Sequence, residues 1–128
     1  MRQRRAWITL SMVLLLAAVA FGVADGSWMR HVPAKDHERK NPYQGQADAV
    51  AAGRLVYEDH CSKCHGENAQ GTKKRPSLRS DRVQQAATEG DLHWLLVNGN
   101  IGRGMPSWSK LGDPQIWQVI SYVKTLGK

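Results

Sequence analysis

The stretch Cys61-Ser62-Lys63-Cys64-His65 decides how the rest of this 128-residue chain is interpreted. Its two thiols lie three residues apart, and an imidazole follows the second thiol directly. They are the only two cysteines in the sequence. Two thiols at this spacing can form thioethers with the two vinyl groups of a haem, while the adjacent histidine binds the iron. The motif therefore predicts one haem c, attached covalently through Cys61 and Cys64, with His65 as an iron ligand.

The cysteine pair is also compatible with chemistry other than haem attachment. Cys61 and Cys64 could form a disulfide, or a thiol redox site of the thioredoxin type in a protein without haem. A redox pair of that type is expected at the start of a helix beside a βαβ unit, whereas this pair follows a predicted helix and no strand pattern is evident. A closed zinc site needs four ligands, and the sequence has no second cysteine pair to complete one.

Met105 is the predicted ligand on the opposite face of the iron. It lies in the segment Ile101-Gly102-Arg103-Gly104-Met105-Pro106, where glycines permit close approach of the backbone to a flat cofactor. The other methionines are Met1, Met12 and Met29, which belong to the apolar N-terminal region or flank it. Thioether sulfur favours ferrous iron and so suits one-electron transfer. His93 is the second candidate ligand but is predicted to lie on a helix surface, and His60 is too close to Cys61 to reach round a haem.

Three helices are predicted from apolar residues at helical spacing, over 47–59, 91–97 and 113–126. Gly53 lies inside the first of them, at a cost of about 1 kcal/mol relative to alanine, which suggests close approach of the last helix at that point. Asp113 is predicted to cap the last helix, with Pro114 at its first position. No run of alternating apolar and polar residues predicts a strand.

The N-terminal region divides into two predicted segments. Residues 6–24 carry no charge and would span about 28 Å as a helix, close to the thickness of the hydrocarbon core of a bilayer. Arg2, Arg4 and Arg5 precede this run and place that end in the cytoplasm. We predict an N-terminal signal-anchor or transmembrane helix over 1–24, a flexible polar tether over 25–46 and a folded domain over 47–128. His31 and His37 are expected to be solvated residues of the tether.

This arrangement predicts a domain on the periplasmic side of a bacterial inner membrane, anchored by its N-terminal helix. The small residues before Ala20 and Ala24 also suit a signal peptidase, so a soluble periplasmic protein is the alternative. The chain has a formal net charge of +7. Nucleic acid is not a predicted partner, because no basic helix or stacking platform accompanies the charge.

Basic residues concentrate near the cysteine motif and the methionine segment. They are Lys63, Lys73, Lys74, Arg75, Arg79, Arg82, Arg103 and Lys110. If they form a ring around an exposed haem edge, redox partners with acidic docking surfaces would bind there transiently and in a salt-sensitive manner. The alternative is that these charges are scattered and solvated.

From Asn41 onward the chain resembles the class I, mitochondrial-type c cytochromes, and especially their bacterial membrane-anchored or periplasmic mono-haem members. The resemblance rests on Gly53-x-x-x-Tyr57 before Cys61-x-x-Cys64-His65-Gly66, on Pro76-x-Leu78 and Gly104-Met105-Pro106, and on the segment 120–124 in the last helix. It implies an all-α fold of three to five helices around one covalently bound haem. It also implies that Gly53 and Tyr57 pack against Tyr122.

The resemblance also bears on Pro76 and Arg75, two consecutive residues of the chain. The carbonyl of Pro76 would accept a hydrogen bond from His65, which orients the imidazole and increases its basicity. Arg75 departs from the family pattern, in which glycine is common at this position.

The function implied is that of a single-electron carrier in a respiratory or dehydrogenase-linked chain, with iron cycling between ferrous and ferric states under His65 and Met105 ligation. Such a protein is not an enzyme in its own right, and its partners would be a dehydrogenase, a respiratory complex or a terminal oxidase. The alternative is a haem peroxidase or gas-binding protein with an open sixth position. The absence of a distal acid-base pair near Met105 argues against that alternative.

Overall fold

The computed structural model describes residues 26–127, and these residues form five α-helices without any β-strand. The helices are α1 Ala34–His37, α2 Ala47–His60, α3 Ser62–His65, α4 Glu89–Asn98 and α5 Asp113–Val123. Short 3₁₀ turns occur at Ser27–His31, Ile101–Arg103 and Ser109–Leu111, and a π-helical turn at Arg82–Ala86. The prediction of an all-α fold with three to five helices is confirmed.

The predicted helix over 1–24 lies outside the described residues. Within 26–127 every helix is too short or too polar to cross a bilayer.

The first and last long helices cross at Gly53, as the sequence predicts. A Cβ atom at Gly53 would overlap the carbonyl oxygen of Gln118 in α5, so only glycine allows the two backbones to approach this closely. One turn further along α2, the ring of Tyr57 packs on that of Tyr122 with centroids 5.4 Å apart. Tyr57, Ile116 and Ile120 have the largest fully buried side chains. This crossing therefore forms the centre of the hydrophobic core.

The ends of α4 and α5 differ from the prediction, and side-chain hydrogen bonds lie at each of the differing ends. α4 begins two residues early, at Glu89, because Thr88 and Asp91 form a reciprocal capping box at its start. Asp113 is not the cap of α5, since Gly112 precedes that helix and the Asp113 side chain bonds elsewhere. α5 ends at Val123 instead of 126, where the ammonium of Lys124 bonds the carbonyls around the π-helical turn.

Residues 26–46, here called the strap, are ordered and lie against the helical domain, in contrast to the flexible tether expected over 25–46. Helix α1 contacts α4, and the Thr88 hydroxyl donates to the carbonyl of His37 at 3.0 Å. The buried side chain of Asn41 donates to the carbonyl of Trp117 at 3.2 Å and to the hydroxyl of Ser121 at 2.9 Å. These bonds join the strap to both α4 and α5.

His93 lies under the strap and not on the helix surface that the sequence predicts. Its side chain is only 3% exposed and stacks on the ring of Trp117, with centroids 4.2 Å apart. Arg39 donates to Nδ1 of His93 at 3.0 Å, so Nε2 carries the proton and donates to Asp113 at 2.9 Å. Burial lowers the pKa of His93, which keeps the ring neutral. His37 is likewise bonded, through Nδ1, to Asp91 at 2.8 Å.

Substituting Gly90 by alanine is expected to release the strap selectively. A Cβ at Gly90 would overlap the carbonyl oxygen of Asp36 and lie 2.9 Å from that of His37. Such overpacking costs about 1 to 3 kcal/mol. Hydrogen exchange of the amides in residues 34–41 should therefore become about tenfold faster or more, while exchange in α2 and α5 should change little. Unchanged protection of residues 34–41 would contradict this interpretation of the strap.

Candidate functional site

A single cavity in the described part of the chain brings together all five residues that the sequence singles out. Cys61, Cys64, His65, Pro76 and Met105 all line its wall. His93, the second candidate ligand, does not line it. The candidate site is therefore built from the cysteine motif on one side and the methionine segment on the other, although 40 residues separate His65 from Met105 in sequence.

The cysteine motif is held by the end of α2 and the short helix that follows. The amide of Cys61 bonds the carbonyl of Tyr57 at 2.8 Å, and the amide of His65 bonds the carbonyl of Cys61 at 3.0 Å. The Tyr57 hydroxyl donates to the carbonyl of Gly66 at 2.6 Å. Burial raises the pKa of Tyr57 to about 12, so this hydroxyl stays protonated and remains a donor. The core of the α2–α5 crossing thus extends directly to the residue after His65.

The imidazole of His65 is oriented by the backbone. Its Nδ1 lies 2.9 Å from the carbonyl oxygen of Pro76, which can only accept, so Nδ1 carries the proton. Nε2 is left as the nitrogen that can bind a metal. Burial lowers the pKa of His65, which favours the neutral ring that metals require. This is the contact that the resemblance to c cytochromes implies for Pro76.

The two thiols are free in this structure and are not joined as a disulfide. Burial, with a smaller contribution from the neighbouring Cys64, raises the pKa of Cys61 to about 11. A redox-active cysteine needs the opposite shift, because the thiolate is the nucleophile. The surroundings of Cys61 therefore disfavour a thiol redox site. A closed zinc site is also disfavoured, since no group of three or more metal-ligating side chains occurs among residues 26–127.

The methionine segment forms a narrow loop between α4 and α5. Asn100 and Met105 exchange both backbone hydrogen bonds, at 2.9 and 3.1 Å, which closes the loop as an isolated antiparallel bridge. Beyond the bridge, the Ser107 hydroxyl donates to the carbonyl of Val97 at 2.5 Å, and the amide of Trp108 bonds the carbonyl of Leu96 at 2.7 Å. Met105 is therefore fixed to the C-terminal end of α4.

The remaining wall of the cavity is mostly apolar. Helices α4 and α5 contribute Leu92, Leu95, Leu96, Val119, Ile120 and Val123. Trp28 from the strap and Trp108 also line the cavity. His60 also lines the cavity, with its ring centroid 5.4 Å from that of Trp108. The sequence predicts that His60 is not an iron ligand, because it is too close to Cys61. The sequence favours Trp28 as an interfacial aromatic residue that flanks the uncharged run of residues 6–24, and nothing local in the sequence places it at the cavity.

Half of the eight basic residues predicted to surround the site line the cavity itself. These are Lys74, Arg75, Arg82 and Arg103. Cations in the lining of a mostly apolar cavity suit a ligand that is flat and apolar but carries carboxylates at one edge.

The donor set in the cavity fits a haem c. Two free thiols lie beside a neutral imidazole with Nε2 available, a thioether lines the same cavity, and helical apolar walls would exclude water from a porphyrin. The chemistry of soft sulfur and imidazole donors suits iron held in a porphyrin. The residues present therefore match the group that the sequence motif predicts.

Comparison with known proteins identifies relatives of the same kind. Residues 48–123 match the family described as cytochrome c oxidase, cbb3-type, subunit III. The cbb3-type cytochrome c oxidase subunit CcoP of Azospirillum brasilense is 38% identical over 89 residues, which cover 62% of this chain and 30% of that protein. Cytochrome c550 of Pseudomonas aeruginosa is 28% identical over 94 residues, covering 68% of this chain and 62% of that protein.

A CcoP subunit of Rhodobacter capsulatus is 38% identical over 90 residues, covering 61% of this chain and 29% of that protein. The match thus spans about a third of the length of the CcoP relatives.

Proposed function

The chain belongs to the cbb3-type cytochrome c oxidase subunit III family of c-type cytochrome domains, and on that basis we propose that it carries single electrons on one covalently bound haem c. In this proposal Cys61 and Cys64 form the thioethers, and His65 and Met105 are the two axial ligands. No substrate is transformed, so the protein is an electron carrier and not an enzyme.

One observation carries this proposal, namely that His65 and Met105 line the same cavity as the two thiols. Each ligand is also positioned by the backbone of a separate segment. Pro76 orients His65 at 2.9 Å, and the bridge to Asn100 holds Met105. Axial ligands that keep their positions in both redox states suit a haem iron that changes its charge without changing its coordination.

The bound haem supplies the reversible one-electron change of its iron, and the residues of the chain set the conditions for it. Nδ1 of His65 donates to Pro76 and so keeps Nε2 directed for ligation and more basic. Leucines of α4 and the apolar face of α5 exclude water from the cavity. Low solvent access favours the state of the iron with less net charge.

The partners are proposed to be redox proteins of a respiratory chain on the periplasmic side of a bacterial membrane. The relatives named as CcoP are subunits of cbb3-type cytochrome c oxidases, which supports electron exchange with a terminal oxidase. The cationic residues that line the cavity favour partners with acidic docking surfaces. Anchorage through the uncharged run of residues 6–24 is part of the same proposal.

The proposal is tested by visible spectra of both redox states in the native protein and in Met105→Ala. The native ferric protein should show the weak red charge-transfer band of a sulfur-to-iron bond, and its ferrous form should not bind carbon monoxide rapidly. Met105→Ala should lose the band, bind carbon monoxide readily and have a lower reduction potential, since a thioether ligand stabilises ferrous iron.

The matched control is Met29→Ala. Met29 is partly buried against the core but does not line the cavity. Its substitution should leave the red band and the slow reaction with carbon monoxide unchanged. A native protein that lacks the band and binds carbon monoxide at once would overturn the carrier proposal and favour the gas-binding or peroxidase alternative.

A further inference from the structure

Arg75 joins the two sides of the cavity. Its Nη1 atom donates to the carbonyl oxygen of Arg103 at 2.7 Å. Its guanidinium also lies close to Gly104, since a Cβ built there would be 2.8 Å from Nη1 and 3.1 Å from Nη2. Arg103 and Gly104 directly precede Met105 in the chain. The side chain of Arg75 therefore holds the segment that leads into the proposed ligand.

The segment that Arg75 contacts lies at the surface of the domain. Residues 101–104 are all exposed, Ile101 to 70%, and a Cβ at Gly102 would meet nothing within 4 Å. Gly104 has a φ of 80°, in the left-handed region that favours glycine. A larger residue at this position would be strained and would collide with the guanidinium. Gly104 thus leaves room for the end of the Arg75 side chain.

The other end of Arg75 is fixed on the histidine side of the cavity. Its backbone closes a turn with Thr72, whose amide bonds the carbonyl of Arg75 at 2.9 Å. The next residue is Pro76, which accepts the hydrogen bond of His65. One side chain therefore connects the turn that orients the proposed histidine ligand to the loop that presents the proposed methionine ligand.

We infer that Arg75 is a positioning residue that holds Met105 against the iron by tying its loop to the turn that orients His65. This inference rests on the proposed function, because it concerns the strength of the bond between Met105 and iron. A guanidinium suits the task because its rigid, planar fork of donors can bond one carbonyl while its other nitrogen lies close to the neighbouring glycine. Lysine has a single flexible donor group and would replace only the charge.

The test compares Arg75→Met, Arg75→Lys and Arg79→Met in the haem-loaded full chain. Arg79 is the matched control, since it is exposed, carries the same charge and bonds the carbonyl of Asn68 at 3.4 Å without lining the cavity. The probe is imidazole, which displaces a weakly held axial methionine from ferric iron. Titration follows the loss of the red sulfur-to-iron band, and denaturant unfolding is measured in parallel.

Arg75→Met should bind imidazole about tenfold more tightly in apparent affinity, as expected for loss of a hydrogen bond from a charged donor. Arg75→Lys should fall between Arg75→Met and the native protein, and Arg79→Met should match the native protein. The inference is overturned if Arg75→Met binds imidazole like Arg79→Met, or if its affinity changes only in proportion to global stability. A native protein without the red band would instead refute the carrier proposal itself.

Discussion

Replacing Gly53 by alanine is expected to lower the free energy of unfolding by about 3 kcal/mol. The added methyl group would overlap the backbone oxygen of Gln118, and a backbone atom cannot move aside as a flexible side chain can. For a domain of this size the loss corresponds to a fall of roughly 10 to 20 °C in the melting temperature. Differential scanning calorimetry of the haem-loaded protein would measure it.

Gly102→Ala is the matched control for this substitution, because the same methyl group would enter open space. It should leave the melting temperature within a few degrees of the native value. If Gly53→Ala melts no lower than Gly102→Ala, the helices α2 and α5 do not cross as closely as described.

The second large effect is expected from Cys61→Ala combined with Cys64→Ala. Without either thiol no thioether can form, so the purified protein should carry no covalently attached haem. Haem should be absent from the polypeptide on a denaturing gel stained for haem and in its intact mass. The domain should also be destabilised, because a chain of this size gains part of its core from the bound group.

Ser62→Ala serves as the control for the cysteine variant. Ser62 lies between the two thiols, and its hydroxyl bonds only the carbonyl of Glu58 among the contacts described. Full covalent attachment is expected in this control. Haem that remains bound covalently to the double cysteine variant would exclude the proposed linkage.

Cys61, Cys64, His65 and Met105 could be predicted from the sequence because each belongs to a local motif with its own chemistry, whereas Pro76 could be predicted only from the resemblance to c cytochromes. The spacing of Cys61, Cys64 and His65 indicates haem attachment without knowledge of the fold, and the glycines around Met105 indicate close backbone approach. Gly53 is informative for a similar reason, since glycine inside a helix is costly and needs a packing explanation. The α2–α5 crossing supplies that explanation.

The strap could not be predicted, because its order depends on partners far away in the sequence. His37 and Asp91 are 54 residues apart, and Asn41 and Ser121 are 80 apart. Polar residues with such distant partners look the same in sequence as solvated ones. The same reason explains the errors at His93 and Asp113, whose side chains bond each other and Arg39 of the strap.

The docked strap also bears on how such a domain would meet its neighbours. A flexible linker over residues 25–46 would have a typical end-to-end distance of about 25 Å and would allow the domain to adopt any orientation. In this structure Gly26 and Trp28 line the cavity, so the first described residues contact the domain at the cavity wall. If the chain is anchored through residues 6–24 as proposed, the connection to the membrane would therefore join the domain beside the proposed haem site.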